Sequence, residues 1–156
     1  MPGHPATPLD VVDRRLVELL QADGRRSVND LAREASIGRA TAYARLDRLR
    51  ADGVITAIRA EVDHAAVGHA IAAYVFVDVE QQRWQEARRQ LLELPGVEHL
   101  ALTSGTHDCV LLVRTPDIET LRDVVLVRLH TIPEVRSAQT LFVLDEERPP
   151  PLPPAP

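Results

Sequence analysis

The sequence predicts an α+β chain of two domains: three short helices with a wing, then a β-α-β-β-α-β domain. Three observations carry the prediction. Before residue 52, apolar residues recur three times at helical spacing, each run bounded by a capping residue or a glycine. After residue 70, β-branched runs alternate with helical ones in the order of a split β-α-β pair. The length, 156 residues, suits two small domains of roughly 60 and 80 residues. Each buries only a modest core, so association between copies is an expected source of stability.

The elements follow in order. Thr7-Pro8-Leu9-Asp10 reads as a helix start, with Thr7 as N-cap and Pro8 in the first turn. Leu9, Val12, Leu16, Leu19 and Leu20 form its apolar stripe, and Asp23-Gly24 closes it. Ser27 caps a second helix with Leu31, Ala32 and Ala35 inside. A turn through Ser36-Ile37-Gly38 leads to a third helix from Arg39 to Ala51, which Ala42, Leu46 and Leu49 hold to the core. Val54 to Val62 reads as two short strands about Arg59-Ala60, a wing. The first domain is thus expected over residues 1–63, with a linker at 64–70.

Ile71–Val79 is a strand, and Trp84, Ala87, Leu91 and Leu92 mark a helix that Leu94-Pro95-Gly96 breaks. Val97–Thr103 and Cys109–Thr115 are strands around the turn at 104–108. Pro116-Asp117 opens a helix carrying Ile118, Leu121, Val125 and Leu129; Val135–Leu144 is the last strand. This is the ferredoxin-like βαββαβ order over 71–146. Residues 147–156 are proline-rich and expected to be a disordered tail. No repeat of 20–50 residues stands out.

Net charge is −5, which by itself disfavours nucleic acid, but its distribution does not. Residues 1–62 hold ten Arg against nine acids, and residues 63–156 hold eight against fourteen. Between Gly24 and Arg50, seven Arg face three acids, a local basic patch of the kind phosphate contacts need. No apolar run approaches the ~18 residues that span a bilayer. The N-terminus lacks the features of a signal peptide, so the chain is expected to stay in the cytoplasm. A lone cysteine, Cys109, fits a reducing compartment.

Three helices with a tight turn before the third, followed by a wing, describe a winged helix-turn-helix reader of double-stranded DNA. Arg39, Ala40, Tyr43, Ala44 and Asp47 are expected to face outward on the third helix, flanked by Thr41, Arg45 and Arg48. Arg39 and Arg45 suit guanine edges or phosphates, Tyr43 a thymine methyl or a phosphate oxygen, and the two alanines permit close approach. Ser27 stands at a helix N-terminus able to receive a phosphate. The plainer alternative is that these arginines only solvate an amphipathic helix.

Several runs together resemble the Lrp/AsnC family of leucine-responsive regulators. They are Leu9-Asp10-Val11-Val12-Asp13-Arg14, Asp23 to Ser27, Asp30-Leu31-Ala32, Arg45 to Leu49 and Gly53-Val54-Ile55. Asp63, Gly68, Pro95-Gly96-Val97, Thr103 to Asp108 and Thr140 to Leu144 extend the resemblance to residues 7–146. It implies a DNA-binding transcriptional regulator whose βαββαβ domains dimerise through their sheets, with dimers assembling into octamers. It also implies a small-molecule effector, usually an amino acid, bound between dimers at a Gly-x-x-Asp turn. Carried over, Gly105, Thr106 and Asp108 line that site, with Ala138 and Thr140 opposite on the last strand. Backbone N–H groups at Gly105 suit a carboxylate and Asp108 an ammonium; alternatively Gly105 supplies φ > 0 and Asp108 caps a tight turn. Val124–Val127, if near the site, favour an uncharged effector.

Two positions depart from the family pattern. Gly38 replaces the usual Ser cap of the third helix, and Ala138 replaces a hydroxyl residue. The six histidines lack ligand spacing, so no metal or cofactor is expected. An enzyme would have only Cys109 and His107 as a reactive pair, with nothing to activate the thiol. An architectural protein that wraps DNA without an effector is the other alternative.

Overall fold

The computed structural model describes residues 8–147 and 149–154. They fall into two compact units, residues 8–61 with 149–154 and residues 62–147.

The first unit holds α1 (Val11–Ala22), α2 (Val28–Glu34) and α3 (Arg39–Ala51). Leu16, Leu19, Leu31 and Leu46 form its centre, with Val12, Leu20, Val28, Ile37 and Ile55 packed around them. The expected Thr7 cap lies outside the described residues, and α1 starts later, at Asp10. Asp10 accepts the Asp13 N–H at 2.8 Å while Asp13 accepts the Asp10 N–H at 3.3 Å. That reciprocal box satisfies two end donors at once and fixes the helix start at Asp10.

The turn after α2 is a Schellman motif: Ile37 N–H donates to Ala32 O at 2.9 Å and Ser36 N–H to Arg33 O at 3.1 Å. Ser36 occupies the left-handed position, φ 55°, usually left to glycine. After α3, Gly53 takes the same position at φ 71°, with Val54 N–H on Leu49 O at 2.9 Å.

The wing is not formed. No strand is assigned among residues 54–62, and Ile58 to Val62 are exposed. Arg59-Ala60 lacks the Gly, Asn or Asp that a two-residue hairpin turn requires. An isolated hairpin is marginal without a further strand. In the tail, residues 149–154 carry no helix or strand, and the Gln21 amide donates to Leu152 O at 3.1 Å.

The second unit holds β1 (Ile71–Val79), α4 (Trp84–Glu93), β2 (Val97–Leu102), β3 (Cys109–Thr115), α5 (Ile118–Arg122) and β4 (Val135–Phe142). A wide π-turn over Asp123–Arg128 continues α5. The sheet is antiparallel in the order β2-β3-β1-β4, the ferredoxin-like arrangement. Its two β-α-β halves are offset alike: β1 and β3 start 38 residues apart (71 to 109), as do β2 and β4 (97 to 135). Leu94-Pro95-Gly96-Val97 and Ile132-Pro133-Glu134-Val135 occupy matching places. The shared letters are too few for the repeat to register in the sequence.

Alternation gives the sheet two faces. Ala73, Val75, Val77, Val79, Leu111 and Val113 meet Ala87, Leu91, Leu121, Val124 and Leu129 in one buried core. The other face carries Tyr74, Phe76, Val110, Leu112 and Leu141, with Tyr74 paired to both Leu112 and Leu141. Tyr74 and Leu141 remain 41% and 49% exposed, so this apolar face is open in a single chain.

Candidate DNA-reading and effector sites

The core side of α3 is Ala42, Leu46 and Leu49; Ala40, Thr41, Tyr43, Ala44, Asp47 and Arg48 are exposed, as the spacing predicts. Arg39 lies over the Tyr43 ring, 5.5 Å from its centroid, with Nη2 at 3.5 Å from the phenol oxygen. This pair stiffens the N-terminal turn, the part of a recognition helix that meets base edges.

The basic patch is largely neutralised within the unit. Arg45 Nη1 reaches Asp10 at 2.6 Å and Asp13 at 2.8 Å, and Arg48 Nη2 reaches Asp13 at 2.5 Å. Arg33 pairs with Asp30 at 2.6 Å, Arg50 with Asp47 at 3.5 Å, and Arg26 with Glu34. Among the described residues, Arg25 and Arg39 are the patch arginines that pair with no carboxylate. Asp13 is buried, and the Asp10 carboxyl sits below the usual range because it accepts the Asp13 N–H and faces Arg45. Sequence reasoning missed these acids; the available signal was an Asp at an inward position of α1.

Ser27 caps α2, but its hydroxyl also donates to Asp30 Oδ2 at 2.6 Å. Asp30, itself held low by that bond and by Arg33, puts a carboxylate on the helix start where a phosphate was expected. Gly38 begins α3 with no side-chain cap bond.

In the second unit, Asp108 holds three donors. Its Oδ2 accepts Val79 N–H at 2.9 Å and Arg136 Nη2 at 3.2 Å, and its Oδ1 accepts Gln81 Nε2 at 3.2 Å. The Val79 bond, then Gln81, keep its carboxyl below the usual range. Beside it, Asp78 accepts from Ser137 Oγ and lies 3.1 Å from His107 Nδ1, which lowers it as well. A cleft of about 360 Å³ is lined by Asp78, Thr106, Asp108, Arg136 and Ser137.

Three expectations need correction here. Ala138 and Thr140 pair with Val77 and Val75, which puts them on the helix-covered face and away from the cleft. Sheet alternation, invisible without the register, decides this; Ser137 takes the expected place instead. Gly105 is not in the left-handed region, and a Cβ there would meet nothing within 4 Å. The cleft walls are polar, while Val124 is core and Leu126 and Val127 are exposed, so these residues supply no apolar wall.

Cys109 is fully buried, its thiol on Val77 O at 3.7 Å, and burial pushes its pKa up to about 11. His107 turns to Asp78 and the Phe76 ring. Among the described residues, no helix is long and apolar enough to cross a membrane.

A three-helix reader joined to a four-stranded α+β unit defines a helix-turn-helix transcriptional regulator. Residues 9–50 match the AsnC-type helix-turn-helix domain and residues 72–151 the Lrp/AsnC ligand binding domain. The chain belongs to the Lrp/AsnC family and is a DNA-binding transcriptional regulator of that type. It is 32% identical to an uncharacterized HTH-type transcriptional regulator of Pyrococcus abyssi, over 85% of this chain and 84% of that one. It resembles the crystal structure of the leucine response regulatory protein LrpA of Mycobacterium tuberculosis at 29% identity and TM-score 0.83, covering 92% and 98% of the two chains. A Neisseria meningitidis transcriptional regulator solved with L-Met shares the fold at TM-score 0.83 and 22% identity, covering 92% and 94%.

Proposed function

We propose that this regulator reads DNA with the Arg39–Tyr43 end of α3 and adjusts its binding to an amino acid held at the Asp108 cleft. The carrying observation for the first half is the guanidinium of Arg39, stacked on Tyr43 and, among the described residues, without a carboxylate partner. Ala40, Thr41 and Ala44 give a low, exposed surface beside it for close approach to a groove. Arg45 and Arg48 flank this surface and act chiefly by fixing α3 on α1. Ser27 contributes as a cap.

For the effector, Arg136 offers donors to a carboxylate, and Asp78 and Asp108 offer acceptors to an ammonium, around one cleft open to solvent. Thr106 lines the cleft, and the neighbouring Gly105 leaves open space where a Cβ would stand. An L-Met complex of a structural neighbour supports an amino acid as the class. Two copies pair through the sheet face that exposes Tyr74 and Leu141, and dimers assemble further, toward octamers, in the cytoplasm.

Arg39→Ala weakens binding to the DNA upstream of its own gene by ~1–3 kcal/mol and relaxes sequence preference at one position, read by gel shift. Wild-type affinity in that variant overturns the reading role. A calorimetric screen of the twenty amino acids finds at least one ligand, and Arg136→Ala loses it while keeping basal DNA binding. Silence across the screen overturns the effector half.

A further inference from the structure

The strongest charge cluster in the first unit joins α1 to α3, and its two acids differ in kind. The Asp13 side chain is 2% exposed, with one oxygen on Arg45 and the other on Arg48, a fixed strut between the helices. The Asp10 side chain is 51% exposed and takes Arg45 Nη1 at 2.6 Å. Arg45 itself is 25% exposed, on the flank of the surface that α3 presents. To a guanidinium, a carboxylate oxygen and a phosphate oxygen are ligands of one kind. Asp10 therefore occupies a donor that a DNA phosphate would otherwise take, and water reaches that pair freely enough for exchange.

We propose that Asp10 is an internal counter-charge that competes with DNA phosphate for Arg45 and so holds down affinity for DNA of any sequence. Discrimination then rests on the Arg39–Tyr43 end, where no acid intervenes. The proposal rests on α3 being the helix that meets DNA. Asp10 serves twice, since its other oxygen caps α1 by accepting the Asp13 N–H at 2.8 Å. A neutral capping residue separates the two roles, because Asn caps a helix about as well as Asp.

The test is Asp10→Asn, measured by fluorescence anisotropy on a random-sequence DNA duplex from about 50 to 200 mM salt. Releasing Arg45 to phosphate tightens binding at low salt. It also steepens the log–log salt dependence by about 0.9 per protomer, a further loss of about 3.5-fold per protomer across that range. In an Arg45→Ala background the same substitution changes neither quantity. Glu18→Gln removes an equal charge from α1 at an acid paired to Arg15, and it leaves the slope alone. Asp10→Ser, a second uncharged cap, repeats the measurement should Asn disturb the helix start. An unchanged slope in both cap variants overturns the proposal, as does a gain that persists without Arg45. Weaker binding by Asp10→Asn overturns it too, by making Asp10 an orienting residue. Arg39→Ala on the DNA upstream of its own gene tells the two readings apart. If it binds as wild type, α3 is not the reader and the underlying reading falls. If it binds weakly while Asp10→Asn has no effect, only the counter-charge falls.

Discussion

Gly96→Ala should be among the most damaging single-methyl additions to the second unit. Gly96 lies between α4 and β2 at φ 77°, and an added Cβ would sit 2.2 Å from Arg114 O and 3.2 Å from its carbonyl carbon. Both obstacles are backbone of β3, a central strand, so no side chain can swing aside. The left-handed conformation alone costs an L-residue roughly 1–2 kcal/mol. Relieving the collision moves the start of β2 away from β3 and breaks the 2.8 Å bond from Arg114 N–H to Gly96 O, about 1 kcal/mol more. The sum is roughly 2–3 kcal/mol, a large share of the 5–15 kcal/mol typical of a domain. For a unit of this size that is a fall in Tm on the order of 10–20 °C. Urea unfolding followed by circular dichroism, at fixed protein concentration, measures it. Gly105→Ala is the control, since its Cβ meets nothing within 4 Å. A Gly96→Ala variant within about 0.5 kcal/mol of wild type would refute the steric reasoning.

Other consequences are as direct. Ser36→Gly relieves a left-handed serine at the helix turn and raises stability by up to about 1 kcal/mol, whereas Gly53→Ala at the matching place after α3 lowers it by about 1 kcal/mol; equal effects of one sign contradict this. Gly38→Ser supplies the missing side-chain acceptor at the start of α3 and adds a few tenths of a kcal/mol, measured as a higher denaturation midpoint. Asp10, Asp30, Asp78 and Asp108 all have folded pKa values below the ordinary 3.8. Their contribution is therefore complete above the unfolded value and lost as pH falls through the folded ones. Tm should hold between about pH 7 and 5 and drop below about pH 4. Cys109, with its pKa near 11, stays unreactive to a thiol reagent at pH 8 until the chain is unfolded.

The parts of the fold that were legible in the sequence are those that depend on local pattern. Leu16, Leu19, Leu31, Ala42, Leu46 and Leu49 are buried where helical spacing puts them, and Ile71–Val79 is the strand its β-branched run describes. Features that depend on pairing across the chain were misread. The wing was read from two short runs over Val54–Val62 about Arg59-Ala60, but such runs do not make a hairpin without a turn residue. Ala138 and Thr140 entered the cleft site only through the family resemblance, which carries no register. A one-residue difference in register assigns that face to Ser137 and the core face to Ala138. Asp78 carried a signal that went unread, as the charged residue in an otherwise apolar strand.

Charge was the least legible property, for a physical reason. Counting seven Arg against three acids between Gly24 and Arg50 treats each side chain as equally available to a partner. Folding brings Asp10 and Asp13, outside that window, onto Arg45 and Arg48, and the acids inside it onto Arg26, Arg33 and Arg50. What DNA meets is the remainder after these pairs form. At the start of α3 that remainder is a guanidinium held over an aromatic ring, a group that contributes direction as well as charge. An acidic chain can thus bind a polyanion and still distinguish sequences. On the proposed reading, its net charge keeps DNA from most of the surface, its internal pairs would damp attraction that carries no sequence information, and Arg39 would lie where base edges are read.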